Sequence, residues 1–97
     1  MNVKVLEKGP NGLRIEIEGE SHTFCNVLQK VLLEDETVEM AGYDIHHPLV
    51  SNPVIYIHTK GKRRPETALR EAAEKIRTRS REFRTSFEKA LKEWQQK

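Results

Sequence analysis

PETALREAAEKIRTRSREFRTSFEKALKEWQQK, residues 65–97, holds no glycine and no proline after its first residue. Pro65 suits the first turn of a helix, where its missing N–H is not needed. The stretch therefore predicts one helix from Pro65 to the C-terminus. At a rise of 1.5 Å per residue, about 30 residues extend roughly 45 Å. A strand of five to eight residues spans at most about 27 Å, so a small sheet cannot cover such a helix along its length. Part of it must overhang. Along the helix Leu69, Ala73, Ile76, Ser80, Phe83, Phe87, Ala90 and Trp94 follow one another at alternating steps of four and three, a heptad stripe flanked by Leu91. Two Phe and a Trp fall in the C-terminal half, where each leaves about 1.5 to 3 kcal/mol of burial unused if water covers it. A partner helix is the expected cover, and Ile76, Phe83, Phe87, Leu91 and Trp94 are its candidate contacts.

The charges on this helix fall into solvated faces. Glu66 with Arg70, Glu71 with Lys75, Glu88 with Lys92 and Glu93 with Lys97 are i,i+4 pairs in the favourable order, worth about 0.2 to 0.5 kcal/mol each. Arg77, Arg79, Arg81 and Arg84 have only Glu82 among them, so they are expected to seek carboxylate or phosphate from outside the chain. The run Lys60-Gly61-Lys62-Arg63-Arg64 before the helix reads as a solvated loop.

Upstream, Val3 and Val5 alternate with Lys4, Gly9-Pro10-Asn11-Gly12 supplies turn residues, and Leu13, Ile15 and Ile17 alternate with Arg14, Glu16 and Glu18. This predicts a hairpin with one apolar and one solvated face. Ser21 is a candidate cap for a helix ending near Asp35, with Phe24, Val27, Leu28, Val31 and Leu32 on a broad apolar side widened by Cys25 and Leu33. Two more strands are expected at Thr37–His47 and Pro53–Lys60, joined by residues 48–52. The alternation in the first changes phase around Ala41-Gly42, where a bulge or a close backbone approach fits. Val54, Ile55, Tyr56 and Ile57 make the second apolar on both sides and therefore central. The expected architecture is a single α+β domain over residues 1–97, with a four-stranded, mainly antiparallel sheet in ββαββα order, both helices on one face, and the long C-terminal helix free for dimerisation.

Composition limits the function. The 97 residues carry 17 Lys+Arg and 15 Asp+Glu, 33% charged. A chain of this size buries only about 60 to 65% of its unfolded surface, which leaves a thin stability margin and favours a partner. Residues 1–59 hold four basic and nine acidic side chains, whereas residues 60–97 hold 13 basic and six acidic ones. A basic element on an acidic body can be steered toward acidic protein or nucleic acid. One cysteine cannot close an internal disulfide, and residues 1–8 alternate instead of forming an apolar signal core, so a reducing cytoplasm is expected. No stretch approaches the roughly 18 apolar residues of a membrane span. His22, Cys25, His46, His47 and His58 lack metal-ligand spacing, so no metal is expected. Cys25 reads as a small buried hydrophobe. No Gly-rich phosphate cradle or isolated carboxylate pair is present, and neither a cofactor nor catalysis is expected.

His22-Thr23-Phe24 with Asn26 and Leu28, then Ala41-Gly42-Tyr43-Asp44-Ile45-His46-His47-Pro48-Leu49, then Thr59 with Gly61, and Pro65 with Ala68-Leu69 stand in an order that resembles the archaeal RNA polymerase subunit L family over nearly the whole chain. That family is similar to the small assembly subunits of eukaryotic polymerases and to the dimerisation domain of the bacterial alpha subunit. The resemblance implies a non-catalytic assembly subunit that pairs through its helices with a larger alpha-like relative, designated D in archaea, to make the platform for the large catalytic subunits. It also implies that His22, Thr23, Phe24, Asn26 and Leu28 belong to the assembly motif. Relatives commonly carry an acidic residue at Ser21 and a small one at Cys25. The rival reading is a small stand-alone RNA- or DNA-binding protein using Arg77–Arg84 and residues 60–64. It lacks the aromatics that such a basic face interleaves for base stacking, and no sequence-specific nucleic-acid contact is expected.

Overall fold

Gly9, Pro10 and Asn11 reverse the chain between the first two strands, and the Gly9 N–H donates to the Gly12 carbonyl at 2.8 Å. The computed structural model describes residues 2–19, 22–44 and 52–95, so Ser21 and the 45–51 segment of the family-like motif lie outside the described residues. The elements are β1 (Asn2–Lys8), β2 (Gly12–Glu18), α1 (His22–Leu33), β3 (Val38–Asp44), β4 (Val54–Thr59) and α2 (Pro65–Gln95). All three strand pairings are antiparallel, in the order β1-β2-β4-β3. The α+β architecture is the expected one.

Alternation sets which side of each strand is buried. Leu13, Ile15 and Ile17 of β2 meet Ile55 and Ile57 of β4, with Ala41 of β3 beside them, on the side covered by the helices. β4 is central as expected, and its outer residues Val54 and Tyr56 remain half-buried. The phase change in β3 has a different position from the expected one. Its irregularity lies between Val38 and Met40, which pair with Thr59 and His58, so Glu39 is the extra residue and both Val38 and Ala41 reach the core. What comes close at Gly42 is a side chain, not the expected second backbone. A Cβ there would fall 2.3 Å from the Tyr56 hydroxyl, so the ring lies over bare backbone.

α1 turns Cys25, Leu28, Val31 and Leu32 inward, all buried. α2 seats on the body through Ala68 and Ala72, with Leu69 and Ile76 half-buried. The heptad stripe is thus offset from the docking face, because the small alanines are what allow the helix to lie close. From Arg77 to Trp94 every residue is exposed. The molecule measures 56 × 36 × 17 Å with a radius of gyration of 16.5 Å, against about 13 Å for a compact chain of this length. The overhang accounts for the excess.

Candidate partner-binding surface

Beyond Ile76 every described residue of the stripe is exposed. Phe83 is 73% exposed, Phe87 55%, Leu91 43% and Trp94 75%. The Phe83 and Phe87 rings lie parallel with centroids 6.2 Å apart, an ordered apolar step on the helix surface. Where α2 leaves the body, Val27 and Val31 of α1 join Ile76, Ser80 and Phe83 around an open cleft. A second recess of about 240 Å³ opens between the hairpin and the helices, its lining including Val3, Ile17, Phe24, Leu28, Leu69 and Ile76. Val3 and Val5 pair with Ile17 and Ile15 and so face the helix side, yet the helices leave them more than half exposed. An apolar surface therefore runs from the edge strand across α1 and along α2. Sequence reading missed the β1 part and placed Val27 only on the broad apolar side of α1. The signal was present in the alternation of Val3 and Val5, but it does not show that β1 is an edge strand that the helices leave largely uncovered.

The other candidates distribute unevenly. His22 opens α1, and Thr23 beside it is exposed. Phe24 is half-buried against the core. Asn26 is half-buried and makes no side-chain hydrogen bond among the described residues. Leu28 points into the chain's own core, so it supports α1 from below. Cys25 is fully buried. Among the described residues no cluster of three or more His, Cys, Asp or Glu side chains could hold a metal ion, and no helix is long and apolar enough to cross a membrane.

The ion pairs correct the sequence reading. Arg79 grips Glu34 with both fork nitrogens, Nη1 to Oε2 at 3.0 Å and Nη2 to Oε1 at 2.5 Å. The hydrogen bond from Arg79 holds the Glu34 carboxyl below its ordinary range and pushes the guanidinium up in turn. Arg84 pairs with Glu88 at 3.2 Å and Arg77 with Glu74 at 3.9 Å. Of the four arginines, only Arg81 has no ion pair among the described residues. Glu66 turns to Lys8 at 3.8 Å and Glu71 to Arg63, so neither makes the expected i,i+4 pair, and Glu88 takes Arg84 in place of Lys92. Lys97, the expected partner of Glu93, lies outside the described residues.

The basic loop is only partly a solvated one. Lys60, Lys62 and Arg64 are exposed, but the Arg63 Nη2 donates to Asp35 at 3.1 Å and to Glu71. Asp35 also accepts from the Thr37 hydroxyl at 2.6 Å and the Thr37 N–H at 2.9 Å, and these bonds above all hold its carboxyl below the ordinary value. The Arg63 guanidinium is pushed up chiefly by Glu71. Buried Thr59 donates from its hydroxyl to the Arg63 carbonyl, and Asn11 donates to the carbonyls of Thr59 and Gly61, which pins the loop to the hairpin turn.

An apolar face that runs from the edge strand onto an overhanging helix is the kind of surface that another chain covers. Residues 12–86 match the family described as the RNA polymerase Rpb3/Rpb11 dimerisation domain. The chain belongs to that family. It is 43% identical over 91 residues to the DNA-directed RNA polymerase subunit Rpo11 of Methanococcoides burtonii, covering 94% of this chain and 99% of that one. The Rpo11 of Methanothermobacter thermautotrophicus is 46% identical over 84 residues, covering 87% and 94%. The crystal structure of DNA-directed RNA polymerase subunit L from Thermoplasma acidophilum superposes with a TM-score of 0.87 at 27% identity, covering 99% of this chain and 94% of that one. This family of dimerisation domains is not catalytic. The chain is accordingly an assembly component of a DNA-directed RNA polymerase, as the resemblance implied.

Proposed function

We propose that the chain acts as a single domain over residues 1–97 and heterodimerises in the cytoplasm with the larger alpha-like polymerase subunit (D in archaea). The pair forms the platform on which the two large catalytic subunits assemble. Its partner-binding set is Ile76, Phe83, Phe87, Leu91 and Trp94 on α2 together with His22, Thr23, Phe24 and Asn26 on α1, Leu28 bracing α1 from the core. The observation that carries this reading is the exposure of Phe83, Phe87, Leu91 and Trp94 on a helix that outruns its own body. Obligate subunit interfaces are more apolar than ordinary surface, and buried aromatics dominate their energetics. Arg77, Arg79 and Arg84 are already matched by carboxylates of the same chain, which weighs against nucleic-acid binding. Co-expression with the alpha-like subunit, followed by size-exclusion chromatography of wild type and Phe87→Ala, tests the reading. Wild type should elute as a one-to-one pair and the variant should dissociate on dilution; equal retention of both would remove the stripe from the interface.

A further inference from the structure

The end of α1 carries two adjacent carboxylates, Glu34 and Asp35, and both go to arginines that flank the docked part of α2. Asp35 takes Arg63, just before the helix begins at Pro65, and Arg63 reaches on to Glu71 in the second turn. Glu34 takes Arg79 in a two-pronged grip, one turn past Ile76, the last residue of α2 that is even half-buried. The lower point is itself anchored, since Thr37 holds Asp35 and Thr59 holds the Arg63 carbonyl.

Packing alone defines the direction of α2 poorly. The docked half meets the body through buried Pro65, Ala68 and Ala72, and its only long apolar side chains, Leu69 and Ile76, are no more than half-buried, so little bulk interlocks with the body. Small errors there grow with distance. Arg79 and Trp94 are separated by about 22 Å of helix, so a swing of roughly 15° displaces the Trp94 ring sideways by about 6 Å, more than half of the roughly 8 to 10 Å between the axes of packed helices. A partner helix reading the stripe in register would then meet the wrong residues.

We propose that Glu34 and Asp35 form a two-point bracket that fixes the bearing of α2, which makes Arg63 and Arg79 positioning residues for partner binding. This rests on the reading of the α2 stripe as the partner-binding element. The bracket acts by pre-organisation: exposed ion pairs add little to fold stability, but holding a binding element in its bound direction removes part of the cost of association.

The test uses the full chain with cysteines introduced at exposed Arg14, on the outer face of β2, and exposed Lys89, on the overhang, both spin-labelled while buried Cys25 stays unlabelled. Double electron–electron resonance gives the body-to-overhang distance distribution, and titration with the alpha-like subunit gives affinity. The double variant Glu34→Gln with Arg63→Gln should at least double the width of the distribution and weaken binding about tenfold, with the thermal midpoint lowered by only a few degrees. The swap Glu34→Arg with Arg79→Glu should restore a narrow distribution and bring affinity back to within about threefold of wild type. An unchanged width in the double variant overturns the bracket, as does a swap that leaves the distribution broad; a swap that narrows the distribution without recovering affinity overturns the positioning role, because Arg79 then touches the partner directly. A broadened distribution with unchanged affinity overturns the positioning role. Phe87→Ala is measured alongside: if it binds normally, the stripe reading has failed, and the widths still decide whether the bracket sets the bearing.

Discussion

The two halves of α2 share one helix and one alternating stripe, yet they face different environments. Its first twelve residues seat on the sheet through alanines and end in half-buried Ile76, whereas from Arg77 onward every residue to Trp94 is exposed. The larger side chains sit in the exposed half. A folding core that needed bulk would have the opposite distribution, because the greatest burial energy comes from the aromatics. The difference separates two tasks along one element, in which the N-terminal half joins helix to body and the C-terminal half stores apolar area for another chain.

The sharpest way to break this contrast is to truncate one residue of the chain's own core and one of the overhang. Leu32 is fully buried beneath α1, so Leu32→Ala should cost about 2 to 5 kcal/mol of folding free energy, read from urea unfolding of the isolated chain. Phe87→Ala should leave folding stability within about 0.5 kcal/mol of wild type, as surface substitutions do, while costing at least about 2 kcal/mol of affinity for the alpha-like subunit. A large loss of stability from Phe87→Ala would place the overhang in the domain's own core. Trp94 reports the same contrast without mutation. At 75% exposure its emission in the free chain should be that of a solvated indole, and it should shift to shorter wavelength when the alpha-like subunit is added. A blue-shifted emission already present in the isolated monomer would contradict the overhang.

Much of this was legible in residues 65–97 and in the β2 alternation. The overhang follows from lengths alone, and the central place of β4 follows from Val54 to Ile57 being apolar on both sides. What stayed hidden depends on approach distances and on contacts between elements far apart in sequence. Heptad spacing identifies a stripe but not which flank of it docks, and Ala68 and Ala72 won the docking face because small side chains let α2 lie close to the sheet. Arg79 and Arg63 found their carboxylates at Glu34 and Asp35, on another element, which no local i,i+4 rule can foresee. Val3 looked like half of an ordinary hairpin face until the sheet order made β1 an edge.

A smaller effect, and one that tests α1 against α2 as partner-binding elements, is expected at Asn26. Its amide finds no partner among the described residues and is only half-buried. If it bonds across the interface between subunits, Asn26→Leu should cost about 1 to 3 kcal/mol in assembly by leaving the facing group unsatisfied, with little change in the isolated fold. Reconstitution of the polymerase at limiting subunit concentration measures it. Full recovery with the variant would confine the interface to α2 and the apolar edge.

The smallest effect concerns the junction that joins the two halves to the body. The Asp35 carboxyl is held below its ordinary value of 3.8, first by Thr37 and then by Arg63. A carboxyl lowered in the folded state stabilises the fold at pH values above its unfolded value, and that contribution drains away as pH falls through the lower folded value. Stability of the isolated chain should therefore decline as pH drops below about 4. Asp35→Asn removes the titrating group, so the variant should be less stable than wild type at about pH 7 and should lose less than wild type between about pH 5 and about pH 2.5. Urea midpoints measured across that interval decide it. Parallel curves for the two proteins would show that Asp35 gains nothing from Thr37 and Arg63 as an anion, and would take away the lower anchor of the bracket while leaving the Glu34–Arg79 grip to be judged on its own distances.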